Sequence, residues 1–126
     1  MRSILALCLI LISSSLLAQP WPQQVKDICP GSCHTGTMRY MAHNGKVYFS
    51  GYSDTHGWEL WATDGTAAGT HMLIDINTGQ VGSGMSGSSE PACIASINGR
   101  LLFRARSNDT DPPALWATDG TVTGTG

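Results

Sequence analysis

The sequence predicts an all-β protein built from two copies of one four-stranded antiparallel unit. Three observations carry that prediction. The stretch Glu59-Leu60-Trp61-Ala62-Thr63-Asp64-Gly65-Thr66-Ala67-Ala68-Gly69-Thr70 returns as Ala114-Leu115-Trp116-Ala117-Thr118-Asp119-Gly120-Thr121-Val122-Thr123-Gly124-Thr125, its tryptophans 55 positions apart (116 − 61). An internal period of that size is the mark of a repeated supersecondary unit. Asn-Gly stands twice between alternating runs, at Asn44-Gly45 and Asn98-Gly99, the strongest short-range hairpin signal. Finally, 15 glycines and a charged fraction of only 13% suit tight turns and strands better than helices.

Residues 1–18 read as a secretory signal: Arg2, an apolar run Ile4 to Ile12, then small residues before a cleavage site after Ala18. The apolar stretch falls short of the ~20 residues a membrane-spanning helix needs. The mature chain is therefore expected to be secreted or held at the cell surface, with no membrane span after cleavage. A Pro-containing lead-in occupies 19–24, repeat 1 occupies 25–72 and repeat 2 occupies 73–126. Each repeat opens with a short strand ending in Asp-Ile, Val25 to Ile28 and Leu73 to Ile76, followed by a Gly-bearing turn. The second turn widens into a Gly/Ser/Thr/Asn-rich loop, Asn77 to Pro91, expected to be the most mobile segment because insertions there cost little closure entropy.

Beyond each Asn-Gly turn the strand alternates. Val47, Phe49 and Gly51 share one face, and Leu101, Phe103 and Ala105 take the matching places. The third strand carries Leu60-Trp61 or Leu115-Trp116, with leucine and tryptophan on opposite faces. Asp64-Gly65-Thr66 and Asp119-Gly120-Thr121 then reverse the chain, because an Asp carboxylate accepts from the N–H two residues on and Gly tolerates positive φ. Gly69 and Gly124 are expected to supply a second bend. A unit of ~50 residues with four short strands has the proportions of a β-propeller blade, and two blades imply part of a larger propeller.

Candidates for chemistry are few. Asp64 and Asp119 are candidate ligands for calcium, although a calcium site wants six to eight oxygens and each turn offers one carboxylate. No catalytic or cofactor-binding residue is predicted. His34, His43, His56 and His71 lie in separate segments and read as solvent-facing or turn residues. Three cysteines remain after the signal. Cys29 and Cys33 are close enough to bridge across Pro30-Gly31-Ser32, a Cys-x-x-x-Cys-His metal set with His34 being the competing reading. The formal net charge of −2 argues against a nucleic-acid partner, and Arg100, Arg104 and Arg106 read as one solvated strand face.

These residues resemble the Glu-Leu-Trp-x-x-Asp-Gly-Thr repeat family of large exported bacterial proteins. Asp27-Ile28, Asn44-Gly45 and Glu59 to Thr70 match its whole unit; Asp75-Ile76, Asn98-Gly99 and Leu115 to Thr125 match it again, with Ala114 in place of Glu. The resemblance implies a propeller-like structural repeat with no common catalytic residues. The expected function is a non-catalytic exported scaffold for structure, adhesion or binding. Its expected partners are further repeats in the same full-length chain or copies of itself. The alternative is the N-terminal part of an exported hydrolase or lyase whose catalytic residues lie beyond position 126. Function is expected in what the copies do not share, above all the 77–91 loop.

Overall fold

The computed structural model describes residues 22–31, 39–82 and 84–126. The expected signal peptide, the start of the lead-in, Cys33 and His34 lie outside the described residues. Nine strands and no helix make up the described chain: β1 (Tyr40–His43), β2 (Lys46–Ser53), β3 (Gly57–Thr63), β4 (His71–Ile74), β5 (Gln80–Val81), β6 (Met85–Ser86), β7 (Ala92–Ile97), β8 (Arg100–Ala105) and β9 (Ala114–Thr118). They form a four-stranded sheet β1-β2-β3-β4, a small hairpin β5-β6 and a three-stranded sheet β7-β8-β9. Every pairing is antiparallel, and neither large sheet closes on itself.

Both Asn-Gly turns are two-residue hairpin loops. Asn44 and Gly45 take φ 47° and 73°, Asn98 and Gly99 take 49° and 73°, and the flanking pairs are His43↔Lys46 and Ile97↔Arg100. Positive φ at both central residues matches the right-handed twist of the strands, which asparagine and glycine tolerate best. Cross-strand pairing puts Val47, Phe49 and Thr63 on one face of the first sheet with Trp61, and Tyr48, Leu60 and Ala62 on the other. Leu101, Phe103 and Thr118 share a face of the second sheet, with Leu102, Leu115 and Ala117 behind them.

The two sheets meet through unlike faces. Tyr48, Leu60 and Ala62 of the first join Leu101, Phe103 and Ala105 of the second in one buried cluster, closed by Leu73 and Ile76. Burying a side chain such as Leu60 or Phe103 contributes about 1.5–3 kcal/mol, so this single seam carries most of the apolar stabilisation. His43, expected at the surface, is buried beneath it and shares a 2.8 Å hydrogen bond between its Nδ1 and Ser96 Oγ.

Four expectations about the elements change. The second sheet has three strands among the described residues, not four. Val25 to Ile28 forms no strand. Strand β4 ends at Ile74, so Asp75-Ile76 lies beyond it, and Ile76 is buried in the seam. The 77–91 loop is not bare coil: it folds into β5-β6, and both Asn77 and Ser89 are fully buried. Ser88 and Ser89 there bond Trp58 of β3 instead of projecting into water, and Asn77 Oδ1 accepts from Gly79 N–H. No helix among the described residues is long and apolar enough to cross a membrane.

Candidate functional site

The two Asp-Gly-Thr turns are the same object built twice. In the first, Thr66 N–H and Thr66 Oγ1–H donate to Asp64 Oδ1 at 2.9 and 2.7 Å. Gly65 N–H donates to Thr63 Oγ1, Gly69 N–H donates to Thr66 Oγ1, and Thr70 Oγ1–H donates to Thr66 O. The second repeats each of these bonds, from Thr121 to Asp119 at 2.9 and 2.7 Å and through Thr118, Gly124 and Thr125. Gly65 and Gly120 take φ 92° and 96°, which a residue with a Cβ resists. Gly69 and Gly124 stand in the second bend that closes each loop and are required for a further reason. Each packs under the turn carboxylate, so that an added Cβ would land on Asp64 or Asp119.

Hydrogen bonds from Thr66 and Thr121 hold both turn carboxyls below the usual carboxylate range. In each case the Oδ1 atom is therefore committed to its own backbone. No group of three or more His, Cys, Asp or Glu able to hold a metal lies among the described residues. Thr63 and Thr70 close the loop with a 2.6 Å hydroxyl pair, repeated by Thr118 and Thr125 at 2.8 Å. Their part in the motif becomes visible only when the turn is folded.

A second polar centre lies where the sequence pattern points to none. Glu59 is fully buried, and its carboxylate accepts from Ile76 N–H, Asn77 N–H, Ser89 N–H and Ser89 Oγ–H at 3.0, 3.4, 3.1 and 2.6 Å. Asn77 extends the network, donating through Nδ2 to Ser88 O and Asp109 Oδ1. Burial pushes the Glu59 carboxyl up, and its four donors pull against that shift. A serine hydroxyl 2.6 Å from a glutamate has the outline of a nucleophile and its base. Both residues are wholly shielded from solvent, however, and each of the four bonds to Glu59 ties the 76–89 segment to β3. The centre is a clasp. Its one signal in the sequence is the Glu before Leu-Trp, a position that Ala114 leaves apolar in the second copy.

The remaining motif residues divide by face. Trp61 stacks on Phe49 and Trp116 on Phe103, with ring centroids 6.5 and 6.4 Å apart. The close approach of the Trp61 indole leaves no room for a Cβ at Gly51, whereas Trp116 donates Nε1–H to Ala105 O at 3.2 Å. Leu60 is fully buried, but Leu115 is 68% exposed. Cys29 is buried with its Sγ 3.7 Å from Asp54 Oδ1, and its expected partner Cys33 lies outside the described residues. Cys93 is a free thiol that burial pushes up to about 11.

Two surface depressions are lined by described residues. One, of about 680 Å³, runs between the 24–31 segment and the Val47–Phe49 face of the first sheet. The other, of about 250 Å³, is a cleft where Arg39, Ser50, Trp58 and Arg104 converge on Glu90-Pro91. Arg104 is exposed, as expected of that strand face, but Arg106 forms an ion pair with Glu90 at 3.6 Å. Comparison with family models, with curated proteins and with solved structures finds no match.

Proposed function

We propose that this chain is an exported, non-catalytic repeat scaffold of β-propeller type, serving structure, adhesion or binding. The observation that carries this reading is where its polar chemistry is spent. The carboxylates of Asp64, Asp119 and Glu59 are each engaged by backbone N–H groups and neighbouring hydroxyls that hold turns and a loop. Two sheets that pack through unlike faces suit a repeat able to add further members, as a propeller does. Binding would fall to the loop side, where the Arg39–Arg104 cleft opens beside Pro91. Within this reading Cys29 and Cys33 form a local disulfide in an oxidising compartment.

The test has two arms. Cells producing the full chain are expected to release a product beginning at Gln19, with Cys29 and Cys33 joined in its peptide map. That product should show no turnover on a panel of glycosides, polysaccharides and esters, with or without calcium. Turnover by the purified chain would sink the scaffold reading, and an uncleaved chain that stays inside the cell with residues 1–18 attached would sink export. An active longer product with an inactive 126-residue chain would favour the hydrolase or lyase alternative.

A further inference from the structure

We propose that a second copy of this chain docks on the outer face and edge of the second sheet, repeating between copies the contact that joins the two repeats within one. The inference rests on the repeat-scaffold reading and adds the partner, the two surfaces and their register.

The internal contact defines a donor face and an acceptor face. The donor face of the first sheet is His43, Tyr48, Leu60 and Ala62, all buried. The acceptor face of the second sheet is Leu101, Phe103 and Thr118, each fully buried. Each surface has an uncovered counterpart at the other end of the molecule. Ile97, Leu102, Leu115 and Ala117 occupy the donor positions of the second sheet, where Ile97 is 53% and Leu115 68% exposed. Val47, Phe49 and Thr63 occupy the acceptor positions of the first sheet, and Val47 is 37% exposed. The groove of about 680 Å³ lies over those acceptor residues. The equivalent space over the second sheet is filled by Tyr48, Leu60 and Ala62 in the internal contact. Leu102, Leu115 and Ala117 of one copy are thus the counterparts of the side chains that would fill the groove of another.

The strand edge gives an independent register. In the first sheet, β4 pairs with β3 through Ala62↔His71, Trp61↔Met72 and Leu60↔Ile74. In the second, Ala117 and Gly126 exchange both backbone hydrogen bonds, at 2.8 and 3.0 Å, which reproduces the Ala62↔His71 rung one repeat later. Beyond that rung no strand pairs with the outer edge of Trp116 and Leu115 among the described residues. The segment equivalent to β4 in sequence is Gln24 to Ile28, 48 positions before Met72 to Ile76 (72 − 24). It joins no sheet and lies beside the acceptor groove of the first sheet. Seating that groove on a second copy's donor face brings Gln24 opposite Trp116 and Lys26 opposite Leu115. Unpaired edges of this kind are templates for added strands.

The one departure between the repeats fits the same arrangement. Glu59 accepts from Asn77 N–H, while its counterpart is Ala114. The counterpart of Asn77 is Cys29, whose N–H instead donates to Asp27 Oδ1 at 3.1 Å. The arriving segment brings its own acceptor, so the clasp is not needed at Ala114. Such a contact is heterologous and propagates from copy to copy.

The experiment cross-links the expected register. Lys26→Cys and Leu115→Cys chains are purified separately, mixed and oxidised. A disulfide-linked heterodimer is expected in the mixture and in neither chain alone, because the rung being copied is Leu60↔Ile74. Sedimentation of the unmodified chain should show concentration-dependent association. Leu115→Arg, a change at an exposed position that leaves the fold intact, should weaken it by at least about tenfold, equivalent to ~1.4 kcal/mol. A monomer at every concentration, or association with no heterodimer and no response to Leu115→Arg, overturns the proposal. That result would leave the non-catalytic reading standing, since the turnover assay decides it.

Discussion

Asp64 and Asp119 show how a short polar residue becomes a turn instead of a site. Each is fully exposed, yet each has its carboxylate drawn onto two donors of the threonine two residues on. Such a carboxyl sits below its unfolded value, so its contribution is present above the ordinary carboxylate pKa and is lost as pH falls through the lowered one. Acid unfolding followed by tryptophan fluorescence should therefore lose a component below about pH 3.9 in the native chain. Asp64→Asn with Asp119→Asn should flatten that component, and an unchanged acid limb would show that the turns contribute nothing to it. Glu59 is the opposite case, a carboxylate whose burial raises its pKa and which is retained by four donors. Glu59→Gln turns an amide N–H₂ toward one of those donors. Urea unfolding should show it to cost about 2 kcal/mol. Position 59 was readable as part of a motif but not as a clasp, because its donors come from residues 76 to 89.

Strands β3 and β9 carry the same Leu-Trp-Ala-Thr run and face different surroundings. Leu60 is sealed in the seam and Leu115 is largely in water. Leu60→Ala is expected to cost about 2–5 kcal/mol, through lost transfer energy and the cavity left behind. Leu115→Ala at a dilution where copies are separate should change stability by less than about 0.5 kcal/mol. Parallel denaturant melts of the two variants check this, and equal losses would mean the second sheet is covered in solution. Alternation along β2 and β8 was legible from period 2 alone, yet the side facing the core was not. Tyr48, on the face opposite Val47 and Phe49, is almost wholly buried, whereas Val47 is not. Which face of a sheet is core depends on the neighbour, and in a stack of sheets each face has one.

Across the whole molecule, one cluster spans both repeats, so neither sheet has a private core. Cooperative units follow shared burial, and the two repeats are expected to unfold together. Single-tryptophan variants keeping Trp61 or Trp116 should report coincident urea midpoints. Two separated transitions would show that each sheet stands alone. Tyr48 links the sheets beyond the cluster: it sits against Gly120, and burial with the nearby Asp119 charge raises its pKa.

Everything written in local order could be read from the residues alone. The all-β class, the hairpins at Asn44-Gly45 and Asn98-Gly99, and the chemistry of the Asp-Gly-Thr turn all follow from residues within a few positions of one another. The folded chain was needed to show that Glu59 fastens a loop 17 to 30 positions away. It was needed again to show that Asn77 to Pro91 is stitched down, and that identical Leu-Trp runs meet unlike fates. The physical reason is that local bonds depend on spacing along the chain. Burial depends on which surface arrives from elsewhere, and in this chain the first repeat has received its neighbour while the second still presents its face.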